Sequence, residues 1–148
     1  MSEHKDYREW MLVKAGINNE SDRPVGFKER EIWLCNIGEN VGYENDGKGG
    51  RFTRPVLIVK AFNRQTCFVV PLSTTPKRTV YHFVFDGNTG KESVALLSQP
   101  RTVDASRLNR KIGMVSEQDF KVIKRCLGEA LGLIQFTPAQ GGGDIPKD

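Results

Sequence analysis

The chain has 148 residues, of which 38% are hydrophobic and 27% charged, a balance typical of one globular domain with a single core. No apolar run approaches the roughly 20 residues that a membrane span needs, and the N-terminal stretch MSEHKDYREW has no hydrophobic signal core. We therefore expect a cytoplasmic protein with no membrane partner. The net charge of +4 permits an anionic partner without requiring one.

The first predicted element is an N-terminal helix from Ser2 to about Ile17. Its apolar residues recur at helical spacing on one face: Tyr7, Trp10, Met11 and Ile17. Ser2 can cap the helix, and the polar residues that lead to Pro24 should end it. We assign residues 1–28 to this helix and a linker, which lie outside the main domain and are docked on it by Trp10.

The middle of the chain is a series of short apolar runs separated by turn signals. These runs predict strands over Glu31–Ile37, Pro55–Phe62, Thr66–Leu72, Val80–Phe85, Ser93–Leu97 and Thr102–Asp104. The first and third runs are nearly all apolar, so they are buried on both faces or belong to a tightly curled sheet. Pro71 fits an edge, a bend or a bulge. Regular short strands of this kind predict a mainly β fold, a small and strongly bent antiparallel barrel.

The last predicted element is an amphipathic helix. Ser116, followed three residues later by Asp119, resembles a capping box at its start. The apolar residues that follow recur at helical spacing: Phe120, Ile123, Leu127, Ala130, Leu131 and Ile134. After Phe136 the sequence is too polar and glycine-rich to pack. We therefore expect a main domain over 29–136 and a disordered tail over 137–148.

The cysteines and histidines carry no metal-binding pattern. The three cysteines are widely spaced without a C-x-x-C motif, and neither histidine lies near one of them. This spacing argues against both zinc and a disulfide framework. We expect Cys35, Cys67 and Cys126 to be buried thiols on strands and a helix, with no metal site.

A glycine-rich stretch, GYENDGKGGRFTRPVLIVK, runs from Gly42 to Lys60. Its first seven residues nearly fit the phosphate-binding pattern G-x-x-x-x-G-K-[ST], but Gly49 supplies no hydroxyl for magnesium. A strand follows, whereas a phosphate cradle depends on a helix N-terminus. We therefore reject a nucleoside triphosphate site in this loop.

Arg54 stands at the end of the same loop, beside Pro55. The proline pushes residue 54 toward extended geometry, which places the guanidinium at the margin of the sheet. A guanidinium there can make planar, multidentate contacts to phosphate oxygens. From composition alone, an ordinary surface arginine is the better interpretation.

Five short motifs, in this order and at these intervals, resemble the MazF/PemK toxins over roughly residues 29–136. They are EIWL at 31–34, GYE at 42–44, RPV at 54–56, VVPLS at 69–73 and QPRTVD at 99–104. The C-terminal amphipathic helix also falls where that family has one. Each motif alone is weak, but five in order are specific.

This resemblance implies a compact SH3-like barrel of the MazF/PemK/CcdB kind with an added helix, working as a homodimer. It implies metal-independent cleavage of single-stranded RNA, without a cofactor, at short sequences. A cognate antitoxin is implied too, with an extended segment that occupies the substrate groove. In such members the ribose 2′-OH attacks the adjacent phosphorus, leaving a 2′,3′-cyclic phosphate and a 5′-hydroxyl.

The resemblance also assigns candidate catalytic residues. Arg54 falls on the family's active-site arginine, which implies phosphate stabilisation with proton donation as a further option. Ser73 falls on the family's threonine, a hydroxyl donor to the same phosphate. Thr74 is one residue away, and a small register shift would make it the acting group. Because neighbours on a strand face opposite sides, we choose Ser73.

Four further residues are candidates for substrate binding. Tyr43 can stack on an unpaired base, although packing against the barrel is the preferred interpretation. Glu44 can orient the loop, accept a proton, or simply be solvated. Gln99 and Arg101 lie on the family's Q-x-R segment and should shape the surface for bases or backbone. A dimer contact is the alternative for Arg101.

The sequence departs from the family pattern at two positions. Ser98 stands where many members have an acidic residue, and Leu96 where some have an arginine. Some branches rely on that Arg-x-Asp pair. This protein must therefore use the arrangement of Arg54 and Ser73 or be inactive.

A second hypothesis is a non-catalytic binder on the same barrel, either a gyrase poison of the CcdB type or a degenerate module that binds antitoxin or RNA. CcdB-like poisons act through a C-terminal helix end rich in Trp and Gly, and GLIQF at 132–136 has no tryptophan. A third hypothesis, an SH3-like interaction domain, is unsupported by any aromatic groove motif.

Overall fold

The computed structural model describes residues 4–20, 24, 26–75, 77–87 and 90–135. The elements in chain order are α1 Tyr7–Glu20, β1 Glu31–Asn36, β2 Thr53–Ala61, β3 Thr66–Ser73, β4 His82–Asp86, β5 Glu92–Leu96, β6 Arg101–Asp104, a 3-10 turn Ala105–Arg107, β7 Leu108–Met114 and α2 Glu117–Ala130. The tail expected over 137–148 lies outside the described residues. Neither α1 nor α2 has the length and apolar content that crossing a membrane requires.

The strands form one antiparallel sheet in the order β4-β5-β3-β2-β1-β7, and β6 pairs with β3. One edge of β3 pairs with β6 over Thr66–Val69 and then with β5 at Leu72–Ser73. Pro71, which has no N–H to donate, falls where the partner changes, in agreement with a bend there. The mainly β, strongly bent SH3-like fold with a helix at each end is confirmed. Among the described strands the sheet does not close completely.

The core lies on both sides of this sheet. Along β2, Leu57 and Val59 belong to one apolar cluster and Val56 and Ile58 to another, as strand alternation requires. Helix α2 covers the first cluster with three buried side chains, Phe120, Ile123 and Leu127. Like β2, β1 and β3 contribute residues to both clusters, which confirms the predicted burial of both their faces. The predicted cap is confirmed too, because the Ser116 hydroxyl accepts the N–H of residue 119 at 3.1 Å.

Helix α1 begins at Tyr7, and residues 4–6 before it are not helical, so the predicted start at Ser2 is wrong. Ser2 itself, the predicted cap, lies outside the described residues. Asp6 caps the helix instead, with its carboxylate accepting the N–H of residue 9 at 3.0 Å. The docking by Trp10 is confirmed, since this side chain is 5% exposed and its ring lies 5.6 Å from that of Phe52.

Trp10 and Phe52 meet at the base of the loop between β1 and β2 (residues 37–52, the β1–β2 loop). Gly38 adopts a φ of 90°, and a Cβ there would lie 2.3 Å from the Trp10 ring, so glycine is required for this approach. Phe52 has a φ of 55°, unusual for a residue with a side chain, and is buried.

β7 is a strand that the sequence pattern did not predict. Its three residues from Asn109 to Lys111 are polar and exposed, because β7 is an edge strand that pairs only with β1 among the described strands. Backbone pairing rather than apolar alternation therefore makes it a strand. β2 also begins earlier than predicted, at Thr53, so Arg54 lies within the strand and pairs with Cys35.

The cysteines are placed as expected. Cys35 and Cys67 are buried on β1 and β3, and Cys126 is half-buried on α2. Burial raises the pKa of Cys35 to about 12 and that of Cys67 to about 11, so both remain thiols at neutral pH. Among the described residues, no three His, Cys, Asp or Glu side chains come together in a way that could hold a metal.

Glu31 is a buried carboxylate on β1. Its Oε1 accepts hydrogen bonds from Trp33 Nε1 at 3.0 Å and from the Lys28 N–H at 2.9 Å, and its Oε2 lies 3.3 Å from the Lys111 ammonium. Burial by itself raises the pKa of Glu31, but the hydrogen bonds and the Lys111 charge outweigh it, so the pKa is lowered overall. The fold therefore favours the ionised carboxylate.

Glu31→Gln is expected to lower the free energy of unfolding by about 1–3 kcal/mol at neutral pH, because a charged acceptor is lost. Since the folded pKa is lowered, this contribution is complete above the unfolded pKa of 4.5 and disappears as the pH falls through the folded value. Urea unfolding at neutral pH and at about pH 3 measures the change. Glu92→Gln, at an exposed position, is the control. An equal loss at both pH values would contradict this account.

Candidate active site

Arg54, the second residue of β2, has a guanidinium held by two backbone carbonyls. Its Nε donates to Asp46 O at 2.7 Å, and its Nη1 donates to Leu72 O at 3.0 Å. A guanidinium has five N–H groups, and the described part of the chain supplies acceptors for two of them. Burial lowers the pKa of Arg54 from its ordinary value, and the nearby Asp46 charge opposes that shift. The group remains a cation at neutral pH.

Ser73 ends β3, and Thr74 follows it in an exposed turn. β2 and β3 pair antiparallel up to Pro71, and the same register continued by two residues sets Arg54 opposite Ser73. Directly opposed residues have their side chains on one face, with Cβ atoms about 4.5–5.5 Å apart. The Ser73 Oγ accepts the Thr75 N–H at 3.1 Å, which leaves the hydroxyl hydrogen for another acceptor.

One cleft of about 170 Å³ takes in all three predicted catalytic residues. Arg54, Ser73 and Thr74 line it together with Lys48 and Lys91. The cleft thus combines three cationic side chains with hydroxyl groups, a lining suited to a phosphate. The sequence prediction missed both lysines. Lys48 stood only in the rejected phosphate motif, and Lys91 belongs to no motif.

A second, wider cleft of about 660 Å³ takes in the four predicted substrate-binding residues, Tyr43, Glu44, Gln99 and Arg101. The structure therefore gathers the predicted site residues into two groups. Tyr43 is 87% exposed, so the preferred interpretation that it packs against the barrel is wrong. Tyr43 lies in a turn that borders the second cleft, where Val41 is 72% exposed as well.

Gln99 fastens the β1–β2 loop across the second cleft. Its Oε1 accepts the Asn45 N–H at 2.6 Å, and its Nε2 donates to Tyr43 O at 3.2 Å. The Glu44 carboxylate accepts a backbone N–H from within its own turn at 2.8 Å, a contact that orients the loop. Arg101, the first residue of β6, is half-buried beside them.

Two loop residues escaped the sequence prediction. The Oδ1 of Asn45 is buried at the second cleft, with no hydrogen-bond partner among the described residues. Asp46 holds Arg54 through its carbonyl, while its carboxylate accepts the Asn40 N–H at 2.6 Å. The loop then runs into β2 and not into a helix, which agrees with the rejection of a nucleoside triphosphate site.

The sequence also fits a known family. The profile of the PemK-like, MazF-like toxins of type II toxin-antitoxin systems matches residues 28–131. The chain belongs to this family. The resemblance to MazF/PemK toxins in the five motifs is therefore confirmed. The chain is a MazF-like toxin of an endoribonuclease family, as predicted. Helix α1 precedes the residues that match the MazF-like profile.

Solved structures of MazF toxins share this fold. This MazF-like chain is similar to Deinococcus radiodurans MazF, with a TM-score of 0.57 at 17% identity over 75% of this chain and 98% of the other. It is also similar to the Mycobacterium tuberculosis toxin MazF-mt6, with a TM-score of 0.55 at 19% identity over 70% of this chain and 97% of the other. A mycobacterial endoribonuclease in complex with its cognate antitoxin has a TM-score of 0.56 at 19% identity over 74% of this chain and 98% of the other. No protein of curated function matches the sequence.

Proposed function

We propose that this MazF-like toxin cleaves single-stranded RNA at short sequences without using a metal ion. The 2′-oxygen attacks the adjacent phosphorus as its proton leaves, the P–O5′ bond breaks, and O5′ takes up a proton. The products carry a 2′,3′-cyclic phosphate and a 5′-hydroxyl. The observation that carries the proposal is the shared cleft, which is lined by both the fixed guanidinium of Arg54 and the hydroxyl-bearing Ser73.

Arg54 acts on the negative charge that builds on the non-bridging phosphate oxygens. Two carbonyls hold its guanidinium in place before substrate arrives, so little reorganisation is needed during the reaction. Within the described part of the chain no acceptor is bonded to its other three N–H groups, which leaves them for phosphate oxygens that a planar guanidinium can contact in pairs. Proton donation to O5′ is a further role that the family resemblance implies for Arg54.

Ser73 donates its O–H to the same phosphate. Its oxygen already accepts the Thr75 N–H, so the serine is oriented by that bond while its hydrogen stays available. Lys48 and Lys91, on the same cleft, attract the RNA backbone.

The second cleft receives neighbouring nucleotides. The exposed ring of Tyr43 can stack on an unpaired base. Both polar groups of the Gln99 amide bond the loop, so Gln99 shapes the cleft. Arg101 offers a positive charge to the backbone.

We also propose that the protein forms a homodimer in the cytoplasm and is held inactive by a cognate antitoxin, whose extended segment occupies the substrate groove. The similarity to an endoribonuclease solved with its cognate antitoxin supports the antitoxin as a partner. Light scattering of the purified protein measures the oligomeric state, and a monomer would contradict the dimer.

The test of the reaction is cleavage of a long, labelled, single-stranded transcript in EDTA, followed by mapping of the cut sites and analysis of the end groups. We expect discrete cuts with cyclic-phosphate and 5′-hydroxyl ends. A double-stranded form of the same RNA is the substrate control, and Arg54→Ala, purified in parallel, controls for contaminating nuclease. Intact RNA across varied sequences would leave a non-catalytic binder in place of the nuclease.

Ser73→Ala is expected to lower kcat by about 100-fold, the usual cost of one donor to a developing oxyanion. Thr74→Ala, one residue away in the exposed turn, should stay within a few-fold of the wild type, since its side chain lies off the Arg54 register. Single-turnover cleavage of the mapped RNA measures both. The reverse ranking would make Thr74 the acting hydroxyl.

A further inference from the structure

The β1–β2 loop makes close contacts with Lys5 and Asp6, just before α1, and with Tyr7, its first residue. The Lys5 ammonium lies 2.9 Å from the Asp46 carboxylate and also donates to Asn40 O at 2.6 Å and Gly42 O at 2.9 Å. An ammonium has three N–H groups, so all three are used. The Lys5 side chain is only 9% exposed, and its hydrogen bond with Asp46 raises its pKa above the ordinary value.

Neighbouring residues add further attachments to the same loop. The Asp6 N–H donates to the Glu39 carboxylate at 2.7 Å, and the Tyr7 hydroxyl donates to Asn40 O at 2.7 Å. One turn further on, Trp10 packs on Phe52 at the end of the loop. The loop is thus held from residue 39 to residue 52 by a segment that lies outside the family match.

Asp46 connects this segment to Arg54. Its carboxylate binds the Lys5 ammonium, and its carbonyl accepts the Arg54 Nε–H at 2.7 Å. One residue therefore joins the N-terminal segment to the guanidinium. The loop itself contains five glycines, at positions 38, 42, 47, 49 and 50, so without outside contacts it has many conformations to lose.

We propose that residues 4–20 are an internal brace, which fixes the β1–β2 loop and, through Lys5 and Asp46, sets the guanidinium of Arg54 in the first cleft. Lys5 is a positioning residue in this scheme. Its effect on cleavage rests on the proposed function, whereas its effect on the loop does not.

The experiment compares four full-length single variants and the double variant Lys5→Met/Asp46→Asn. Lys5→Met removes the ammonium and keeps the aliphatic chain, Lys5→Arg keeps a cation, and Asp46→Asn removes the partner charge while keeping an acceptor for the Asn40 N–H. Lys14→Met, at an exposed position of α1, is the matched control. Two readouts are taken: amide hydrogen exchange over 38–52, and kcat and KM on single-stranded RNA.

We expect Lys5→Met to speed exchange of the Asn40 and Gly47 amides by about tenfold, because local opening becomes easier. We expect kcat to fall by about 10- to 100-fold, the range that small misplacements of a catalytic group produce, with KM nearly unchanged. Lys5→Arg should restore both readouts, and Lys14→Met should alter neither. Asp46→Asn should match Lys5→Met, and the double variant should be no worse than either single change.

Each of three possible results would contradict a different part of the proposal. Unchanged exchange over 38–52 in Lys5→Met and in Asp46→Asn would overturn the brace, whatever the RNA assay shows. Faster exchange with wild-type kcat would overturn the link to Arg54. A wild-type protein that leaves all RNA intact would overturn the proposed function, while the exchange result would still decide the brace.

Discussion

Arg54→Ala is expected to lower RNA cleavage by at least about 100-fold, because it removes a preorganised donor to the phosphate oxygens. The arginine is held by the carbonyls of Asp46 and Leu72, so it meets the substrate already in place. Arg54→Lys should recover little of the activity, since an ammonium cannot hold both carbonyls and also contact two phosphate oxygens in one plane.

The measurement is kcat on the mapped RNA, with circular dichroism to show that the variant is folded. Arg64→Ala is the matched control, because it removes the same charge from an exposed position in the turn between β2 and β3. A folded Arg54→Ala protein that cuts at the wild-type rate would remove Arg54 from the active site. A matching loss in Arg64→Ala would point to overall charge instead.

Trp10→Ala is expected to lower the free energy of unfolding by about 3–5 kcal/mol, the usual cost of removing a large buried aromatic side chain. The indole is packed on Phe52 and lies against Gly38, and the Arg107 guanidinium stands 5.7 Å from its ring centre. Arg107 also donates to Asn36 O at 3.0 Å, so it is tied to the end of β1 and cannot easily fill the space left.

Guanidinium-induced unfolding followed by circular dichroism measures the loss, since tryptophan fluorescence is altered by the substitution itself. Met11→Ala, one residue along at a position 63% exposed, should change stability by less than about 0.5 kcal/mol. A loss below about 1 kcal/mol in Trp10→Ala would mean that α1 is not an integral part of the folded unit.

The sequence predicts most of the fold because buried strands and helix faces are recognisable by their apolar residues. β1 and β3 are nearly all apolar since each has both faces covered, and the start of α2 is marked by Ser116, whose hydroxyl caps it. β7 carries no such mark. An edge strand with exposed Arg110 and Lys111 is defined by its hydrogen bonds to β1, and those depend on where the rest of the chain has already folded.

The candidate site divides in the same way. Arg54 and Ser73 could be located because the motifs shared with the family contain them, whereas composition alone favoured an ordinary surface arginine at position 54. The contacts of Asp46 with Lys5 and of Asn45 with Gln99 join residues far apart in the sequence, which no local rule identifies. Tyr43 was misjudged because an aromatic side chain is usually packed, whereas this turn leaves the ring exposed to solvent.

The left-handed backbone of Phe52 has an evolutionary consequence. That conformation costs a residue with a Cβ roughly 1–2 kcal/mol, and glycine or asparagine would adopt it more easily. Phenylalanine is favoured at position 52 because an indole from α1 covers its ring. Homologues that lack a helix in front of the barrel gain nothing from an aromatic ring there. We therefore expect the N-terminal helix and an aromatic residue at this position to be inherited together among homologues.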